Sequence, residues 1–385
     1  MVSRKAKVAI IGAGIGGLAA AITLRRAGLD VQVYEQAQRF ARVGAGIQMG
    51  PNAMKVLRGM GLEQHLRASS FAPRSSLNRE WNTGAVTNEF PLADFVEERY
   101  GTPFLALHRG DLHEALAVQV PGDVVHTGKK LMTLDQDDDQ VTLSFADGTE
   151  VKADAVIGAD GVHSLIREKL LGAEQPRFTG RVAYRTTFPT SLLKGIDIGD
   201  SRTKWWGPDR HIVIYYVTRS RDEVYFVTSQ PEDAAWLTPE SWSAKGDLGM
   251  LREAYAGFHP DVRGVLDACP DVHKWAIFER DPLPGWGEGR VVLMGDACHP
   301  MTPYMAQGAA MALEDAVVLA RCVEQTGTDA FPEAFKLFEA TRKPRTSAVQ
   351  AGSKANTWMH KQTNPDWVYG YDAWEVPLGE TAVTA

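Results

Sequence analysis

The sequence predicts an α/β fold in which a Rossmann-type domain, built from both ends of the chain, wraps around an inserted antiparallel sheet and continues into a helical C-terminal tail. Apolar strands followed by a turn and a helix occur near both ends of the chain, whereas alternating strands dominate its middle. At 385 residues the chain is also too long for one ordinary core. These observations favour a discontinuous domain wrapped around a second one.

The first forty residues predict a βαβ unit. KVAII is a buried strand, Ile15 to Ala27 form a helix closed by Gly28, and VQVYE is a second strand. Helical patterning returns over 51–68 and 111–118. Residues 130–161 alternate, turn at an acidic stretch and at DG, and end in an apolar strand, which predicts a small antiparallel meander.

Strands such as RVAYRTTF, TKWW, HIVIYYVT and DEVYFVT dominate from about residue 182 to 278, and short turns join neighbours. After them, RVVLMGDAC is again an apolar strand of the kind found in parallel sheets. The long helix that follows ends at Gly327. We expect the aromatic-rich tail to pack within the molecule. The predicted ranges are 1–72, 101–178 and 287–325 for the Rossmann-type domain, 73–100 and 179–286 for the inserted sheet domain, and 326–385 for the tail.

Composition narrows the function. A net charge of −7 argues against a nucleic-acid partner or an anionic membrane. The three cysteines have no CxxC spacing, so we expect no metal site and a reducing, cytoplasmic location. A basic start before an apolar run resembles a signal peptide, but four glycines interrupt that run, and no other apolar stretch approaches a membrane span. Composition leaves monomer and homodimer both open.

The run from Gly12 to Gly17 satisfies G-x-G-x-x-G between a predicted strand and a predicted helix. Gly12, Gly14 and Gly17 permit a tight turn and let a pyrophosphate approach the helix N-terminus, where free N–H groups favour anions. Glu35 ends the second strand, where a carboxylate can bind ribose hydroxyls. This context predicts a dinucleotide site but does not separate NAD from FAD.

Two later segments add acidic residues directly after apolar strands. DAVIGADGVHSLIR places Asp160 before a helix start, where it is equally well explained as a helix cap or turn residue. RVVLMGDACHPMTPYMAQG places Asp296 after a strand, followed by His299 and Pro300, with Gly308 opening a helix.

Together these three segments, in this order, resemble the single-component FAD-dependent aromatic hydroxylases over nearly the whole chain. The resemblance implies FAD as a tightly bound cofactor and NADH as a co-substrate that reduces the flavin at a transient surface site, since no second G-x-G-x-x-G is present. It also implies that Arg109, in LHRGDLHEAL, contacts FAD. The cofactor residues carried over are Gly12, Gly14, Gly17, Glu35, Arg109, Asp160, Asp296, Pro300 and Gly308.

The strand HIVIYY raises the question of catalysis. Alternation places His211, Val213 and Tyr215 on one face, which by itself is typical of either a core pair or a functional surface. The resemblance puts this sheet over the flavin ring. We therefore expect His211 to be the base, Tyr215 a proton relay or hydroxyl-positioning group, and His299 a rival base.

Two of the residues expected to contact the substrate differ from the pattern of the family. Members acting on hydroxynicotinate carry His where Gln48 stands and Cys where Arg202 stands. If Arg202 points inward it can pair a substrate carboxylate bidentately; as a loop residue beside Asp200 it would instead be solvated. The predicted substrate-binding residues are Gln48, Arg202, Val213 and Met305.

The resemblance implies NADH- and O2-dependent hydroxylation of a small aromatic carboxylate through a flavin C4a-hydroperoxide. We expect a hydroxylated pyridine or benzene carboxylate, 6-hydroxynicotinate first, with or without loss of CO2. Salicylate- or 3-hydroxybenzoate-type hydroxylation is the alternative, and a flavin-binding reductase or redox module without oxygenase chemistry is the alternative from another class.

Overall fold

The structure is a computed structural model that describes residues 5–40, 45–233 and 244–379. The predicted domain ranges also include 1–4, 41–44, 234–243 and 380–385, which lie outside the described residues. In the described ranges no helix is both long and apolar enough to cross a membrane.

The strands, in chain order, are β1 (Lys7–Ile11), β2 (Asp30–Tyr34), β3 (Gly46–Met49), β4 (Ser75–Glu80), β5 (Val86–Pro91), β6 (Leu105–His108), β7 (Val125–His126), β8 (Leu131–Gln136), β9 (Val141–Phe145), β10 (Glu150–Ala153), β11 (Ala155–Gly158), β12 (Arg177–Pro189), β13 (Arg202–Trp206), β14 (His211–Tyr216), β15 (Glu223–Pro231), β16 (His273–Glu279), β17 (Gly287–Glu288) and β18 (Val291–Leu293).

The helices are α1 (Ile15–Arg26), α2 (Pro51–Gly59), α3 (Glu63–Ser69), α4 (Ala93–Tyr100), α5 (Arg109–Ala117), α6 (Leu165–Leu171), α7 (Leu248–Ala254), α8 (Pro260–Ala268), α9 (Gly308–Thr326), α10 (Phe331–Ala355) and α11 (Asp366–Tyr369). The helical patterning predicted over 51–68 corresponds to two helices, α2 and α3, because Gly61 adopts a left-handed φ of 84° between them.

A six-stranded sheet forms the first layer. Its order is β17-β18-β11-β1-β2-β7, and every pair is parallel except β17 with β18. Strands from both ends of the chain therefore share one sheet, which confirms the predicted α/β fold. The apolar strands β1, β11 and β18 are buried, and the Thr23 hydroxyl of α1 donates to the Ala316 carbonyl of α9 across 2.8 Å, which joins the helices that follow β1 and β18.

A seven-stranded sheet forms the second layer, in the order β16-β12-β15-β14-β13-β4-β5. The predicted antiparallel pairing holds except between β4 and β13, which run parallel because β4 comes from a distant part of the chain. The predicted meander is the three-stranded sheet β10-β9-β8, and β3 pairs with β6 between the two layers. The predicted division into domains stays a proposal.

The seven-stranded sheet has two chemically different faces. One face carries Ile212, Ile214 and Phe226, which pack with residues of α7 and α8 in an apolar core. Because neighbouring residues of a strand alternate, His211, Val213 and Tyr215 belong to the opposite face. That face is turned toward the first layer, since Tyr215 lines a cleft shared with residues of β3, α1 and α9.

Candidate active site

A cleft of about 310 Å³ lies between the two layers. Its walls come from segments far apart in the chain: the glycine turn before α1, strand β3, the start of α5, the segment after β18, and the polar face of the seven-stranded sheet. This size is within the range of small-molecule and cofactor sites.

The glycine turn has the geometry that an anion site requires. Gly12 has φ of 103°, and a Cβ at Gly17 would lie 1.9 Å from the Gly12 carbonyl oxygen, so both positions need glycine. Gly14 lines the cleft and caps α1 without a side-chain hydrogen bond, and a Cβ there would meet nothing within 4 Å. The N–H groups of α1 are thus open to a phosphate.

Glu35 holds this turn together. Its carboxylate accepts hydrogen bonds from the backbone N–H groups of Ala13 and Ala37, each at 2.8 Å. The second strand and the glycine turn are fixed to each other in this way. The predicted ribose contact of Glu35 stays a prediction.

A second helix N-terminus and two charged side chains face the same cleft. Arg109, Asp296 and Gly308 line it, and Gly308 is the first residue of α9, which has no acidic residue in its first turn. Burial lowers the pKa of Arg109, and the nearby Asp296 carboxylate opposes that shift. Two uncapped helix ends and an arginine suit an elongated ligand with a pyrophosphate, which fits the donor needs of FAD.

Two predicted cofactor residues lie beside the cleft rather than in its lining. Asp160 accepts hydrogen bonds from the Ser164 hydroxyl at 2.5 Å and the Ile166 N–H at 3.2 Å, so its side chain holds the start of α6 while Gly161 lines the cleft. Pro300 lines a neighbouring surface pocket that shares Asp296 with the cleft. Their predicted contacts with FAD stay predictions.

His299, the rival base, belongs to a buried ionic network. Its Nε2 lies 2.5 Å from Asp315, and Asp315 also accepts a hydrogen bond from Arg342 at 2.8 Å. His299 is not among the described residues that line the cleft. Its geometry favours holding the loop after β18 against α9 and α10.

His211 and Tyr215 share one face of β14 but do not touch. Four residues of a strand span about 13 Å, and Val213 occupies the position between them. The two side chains therefore do not hydrogen-bond each other directly, and the relay or hydroxyl-positioning role of Tyr215 stays a prediction. Tyr215 hydrogen-bonds Gln48 at one end, and the His211 ring lies 5.0 Å from the Trp206 ring at the other.

The environment sets the protonation of both groups. Burial lowers the pKa of His211, and the nearby cations Lys204, Arg181 and Arg202 lower it further. The imidazole is therefore neutral at neutral pH. Burial raises the pKa of Tyr215, so its phenol stays protonated and can donate a hydrogen bond.

A much smaller cavity of about 10 Å³, the side cavity, adjoins the cleft and shares Gln48 and Ala306 with it. Arg202 lines the side cavity and is 8% exposed, so the solvated alternative is wrong. Its Nη1 donates to the Ser76 hydroxyl at 2.8 Å, and its buried Nε has no hydrogen-bond partner. Met305 also lines this cavity, whereas Val213 packs in an apolar cluster with Tyr215 and Tyr225.

Several residues of the site were missed by the sequence analysis. Arg185 and Tyr225 line the cleft from β12 and β15, and pairing of β14 with β15 sets Tyr225 opposite Tyr215. Trp358 and Tyr369 of the tail line the side cavity. Strand register offered a signal for Tyr225, but no local pattern ties the tail to this cavity.

The comparisons with known proteins agree with this geometry. Residues 5–353 match the family described as FAD binding domain. The chain is 48% identical to 6-hydroxynicotinate 3-monooxygenase of Bordetella bronchiseptica over 98% of both proteins, and 46% identical to 6-hydroxynicotinate 3-monooxygenase of Pseudomonas fluorescens over 100% of this chain and 99% of that protein.

A solved structure of Klebsiella pneumoniae HpxO complexed with FAD and uric acid superposes with a TM-score of 0.81 at 29% identity, covering 93% of this chain and 89% of that one. The sequence similarity and the shared fold confirm the resemblance that the motifs implied. The chain belongs to the FAD binding domain family and, within it, to the FAD-dependent aromatic monooxygenases.

Proposed function

We propose that this enzyme hydroxylates the ring of a hydroxylated pyridine or benzene carboxylate, with 6-hydroxynicotinate as the first candidate. The observation that carries the proposal is the buried guanidinium of Arg202 in the side cavity, next to a cleft with the features of a FAD site. A buried cation with an unused donor suits a carboxylate, which can accept two parallel hydrogen bonds.

FAD, reduced by NADH, would supply activated oxygen from O2 for insertion into a ring carbon. The uncapped ends of α1 and α9, together with Arg109, would hold its negatively charged groups. Gly46 lets β3 pack closely against the cleft wall, because a Cβ there would lie 2.6 Å from the Tyr225 ring.

We assign activation of the substrate ring to residues on the polar face of the seven-stranded sheet. Loss of a proton from a ring hydroxyl makes the ring electron-rich, and a neutral His211 is suited to accept that proton directly or through water. Tyr215, held by Gln48, is suited to donate a hydrogen bond to the substrate. The aromatic walls from Trp358 and Tyr369 favour the exclusion of water.

A salicylate- or 3-hydroxybenzoate-type substrate is the second candidate. It is favoured by Gln48 and Arg202, the two positions at which this chain departs from the hydroxynicotinate pattern. Because both residues line the side cavity, they bear on the substrate rather than on the reaction class. We also propose a cytoplasmic location, since Cys269, Cys298 and Cys322 are all buried and unpaired.

A substrate panel tests the proposal. Purified holoenzyme is given NADH with 6-hydroxynicotinate, salicylate or 3-hydroxybenzoate, and NADH oxidation, O2 uptake and product mass are followed. We expect one aromatic acid to accelerate both rates, with one product per NADH; product mass then shows whether CO2 is lost. If no aromatic acid accelerates NADH oxidation and O2 uptake, the oxygenase proposal fails and a flavin reductase or redox module takes its place.

A further inference from the structure

The C-terminal tail limits the size of the side cavity. A volume of about 10 Å³ has room for about one water-sized group. Arg202 lines this cavity from β13, whereas Trp358 and Tyr369 line it from the tail. A substrate ring therefore has to stay in the larger cleft, and only the outer atoms of its acid group can approach Arg202.

Tyr369 fills the space near Arg202 with a buried ring. Its side chain is 5% exposed, and a Cβ at Gly50 would lie 3.0 Å from the ring, so the ring packs directly on the backbone between β3 and α2. The rings of Trp358 and Tyr100 lie 6.2 and 5.9 Å from it, both edge to face. These contacts hold the ring in one position.

The backbone that carries this ring is anchored at two places. Arg345 of α10 donates to the carbonyl oxygens of Trp367 at 2.7 Å and Val368 at 3.1 Å. Asp366, the first residue of α11, accepts two hydrogen bonds from Arg99 at 2.7 and 3.0 Å. The short helix α11 is thus fixed to α10 on one side and to α4 on the other.

Tyr369 does not neutralise Arg202. Burial raises the pKa of Tyr369 to about 12, although the nearby charge of Arg202 opposes that shift, so the phenol is uncharged at neutral pH. The buried Nε of Arg202 has no hydrogen-bond partner among the described residues. The guanidinium is therefore left to pair an acid, and the Tyr369 ring occupies the space into which a longer acid would extend.

We propose that Tyr369 determines specificity by limiting how far the acid group can project from the substrate ring. The enzyme then selects acids whose carboxylate is attached directly to the ring. In an acetic-acid homologue one methylene separates the two, and its carboxylate would meet the Tyr369 ring. This inference rests on the proposed function, which places the acid at Arg202, and deepens it.

Ligand binding to the holoenzyme without NADH tests this inference. The probes form two pairs, each a ring-attached acid with its acetic-acid homologue: 6-hydroxynicotinate with 6-hydroxypyridine-3-acetate, and 3-hydroxybenzoate with 3-hydroxyphenylacetate. Each probe is titrated and followed by the flavin absorption, and the pair whose ring-attached acid binds more tightly decides. We expect the wild type to bind that acid roughly 30-fold more tightly than its homologue, the usual effect of one methylene at a fitted site.

Two substitutions separate the Tyr369 ring from its hydroxyl. Tyr369→Ala removes the ring, so the homologue should gain affinity and the ratio between the two probes should fall at least about tenfold. Tyr369→Phe keeps the ring and should keep the ratio. Circular dichroism and FAD content check the fold. If Tyr369→Ala does not fold, Tyr369→Leu, which also removes the ring, takes its place with the same expectation.

The matched control is Trp374→Ala, which removes another aromatic ring of the tail. Trp374 packs on α2, where a Cβ at Gly59 would lie 2.4 Å from its ring, and it is not among the described residues that line the side cavity. This variant weakens the packing of the tail without removing a wall of the cavity. The ratio between the probes should therefore stay as in the wild type.

Equal affinity of the wild type for both members of the deciding pair would overturn the inference, as would an unchanged ratio in Tyr369→Ala. An equal fall in Tyr369→Phe or in Trp374→Ala would overturn it too, because the size of the Tyr369 ring would not be the cause. None of these results depends on turnover. An enzyme with the expected ratio that oxygenates nothing refutes only the proposed function, whereas an active hydroxylase without that ratio refutes only the size limit.

Discussion

At the scale of single residues, the chemistry of the polar face of β14 depends on the distance between His211 and Tyr215. His211 and Tyr215 point the same way but are separated by Val213, so each has its own surroundings: Trp206 and Lys204 beside the imidazole, Gln48 beside the phenol. Two groups that cannot exchange a proton directly can still act on opposite sides of one aromatic ring. We propose His211 as the base and Tyr215 as the hydrogen-bond donor.

We predict that His211→Gln lowers the hydroxylation rate roughly 100-fold while NADH oxidation continues and releases hydrogen peroxide. The reason is that a non-ionised ring is a poor acceptor of oxygen. Product and peroxide formed per NADH are the measurements. His65→Gln, an exposed substitution on α3, is the control. Full coupled activity in His211→Gln would exclude it as the base.

The pH dependence of hydroxylation tests the same base in the wild type and in Lys204→Met. Because the pKa of His211 lies below its ordinary 6.5, the base is present through neutral pH and is lost only as the pH falls below that value. The acid limb of the wild-type profile should therefore lie below pH 6.5. Lys204→Met should move it upward, since among the charged neighbours Lys204 lowers the pKa of His211 most.

At the scale of elements, the start of α1 is the sharpest test of the cofactor site. Gly14 has an ordinary φ of −73° and open space where a Cβ would stand, so a larger side chain is tolerated by the fold. A carboxylate there would face the negatively charged pyrophosphate.

We predict that Gly14→Asp folds but binds FAD roughly 100-fold more weakly, because two negative charges would meet at the helix end. Gly14→Ala is the matched control and should keep both fold and FAD. Circular dichroism checks the fold, and flavin fluorescence titration gives the affinity. Undiminished FAD affinity in Gly14→Asp would show that the phosphates bind elsewhere.

At the scale of the whole molecule, a buried ionic network connects the helices behind the cleft. Arg342 of α10 donates to Glu314 at 2.7 Å and to Asp315 at 2.8 Å on α9, and Asp315 in turn holds His299. Burial alone would raise the pKa of Asp315, but His299 and Arg342 bring it to about 2. The stability that this carboxylate contributes is present above its ordinary pKa of 3.8 and is lost as the pH falls toward 2.

We predict that Arg342→Met lowers the free energy of unfolding by about 3–5 kcal/mol, since it removes the buried guanidinium that bridges Glu314 and Asp315 and leaves Asp315 without an arginine partner. Urea unfolding of the holoenzyme measures the loss, which should be smaller at acid pH, where Asp315 of the variant takes up a proton more readily. Lys336→Met, an exposed substitution on the same helix, should be nearly neutral. Similar losses in both variants would contradict this account of the network.

The cofactor side of the site could be predicted from sequence because its motifs are local. A strand, a glycine turn and a helix are consecutive in the chain, so Gly12, Gly14 and Gly17 are placed by their neighbours. Arg109 and Gly308 likewise begin helices that open on the cleft. Asp160 and His299 could not be assigned in this way. An aspartate after a strand can contact a cofactor or hold the start of a helix, as Asp160 does, and a histidine can act as a base or join an ionic network, as His299 does. Only the three-dimensional structure separates these roles.

The substrate side was decided by tertiary structure. The sequence by itself determined the α/β fold, the FAD motif and the reaction class, because each rests on short patterns. It did not determine that Arg202 and Lys204 are buried, nor that Tyr369 lines the side cavity, since these depend on contacts between β3, β13 and the tail. Whether a buried charge is compensated is a property of the packed molecule, because the partner that would neutralise it comes from a distant part of the chain.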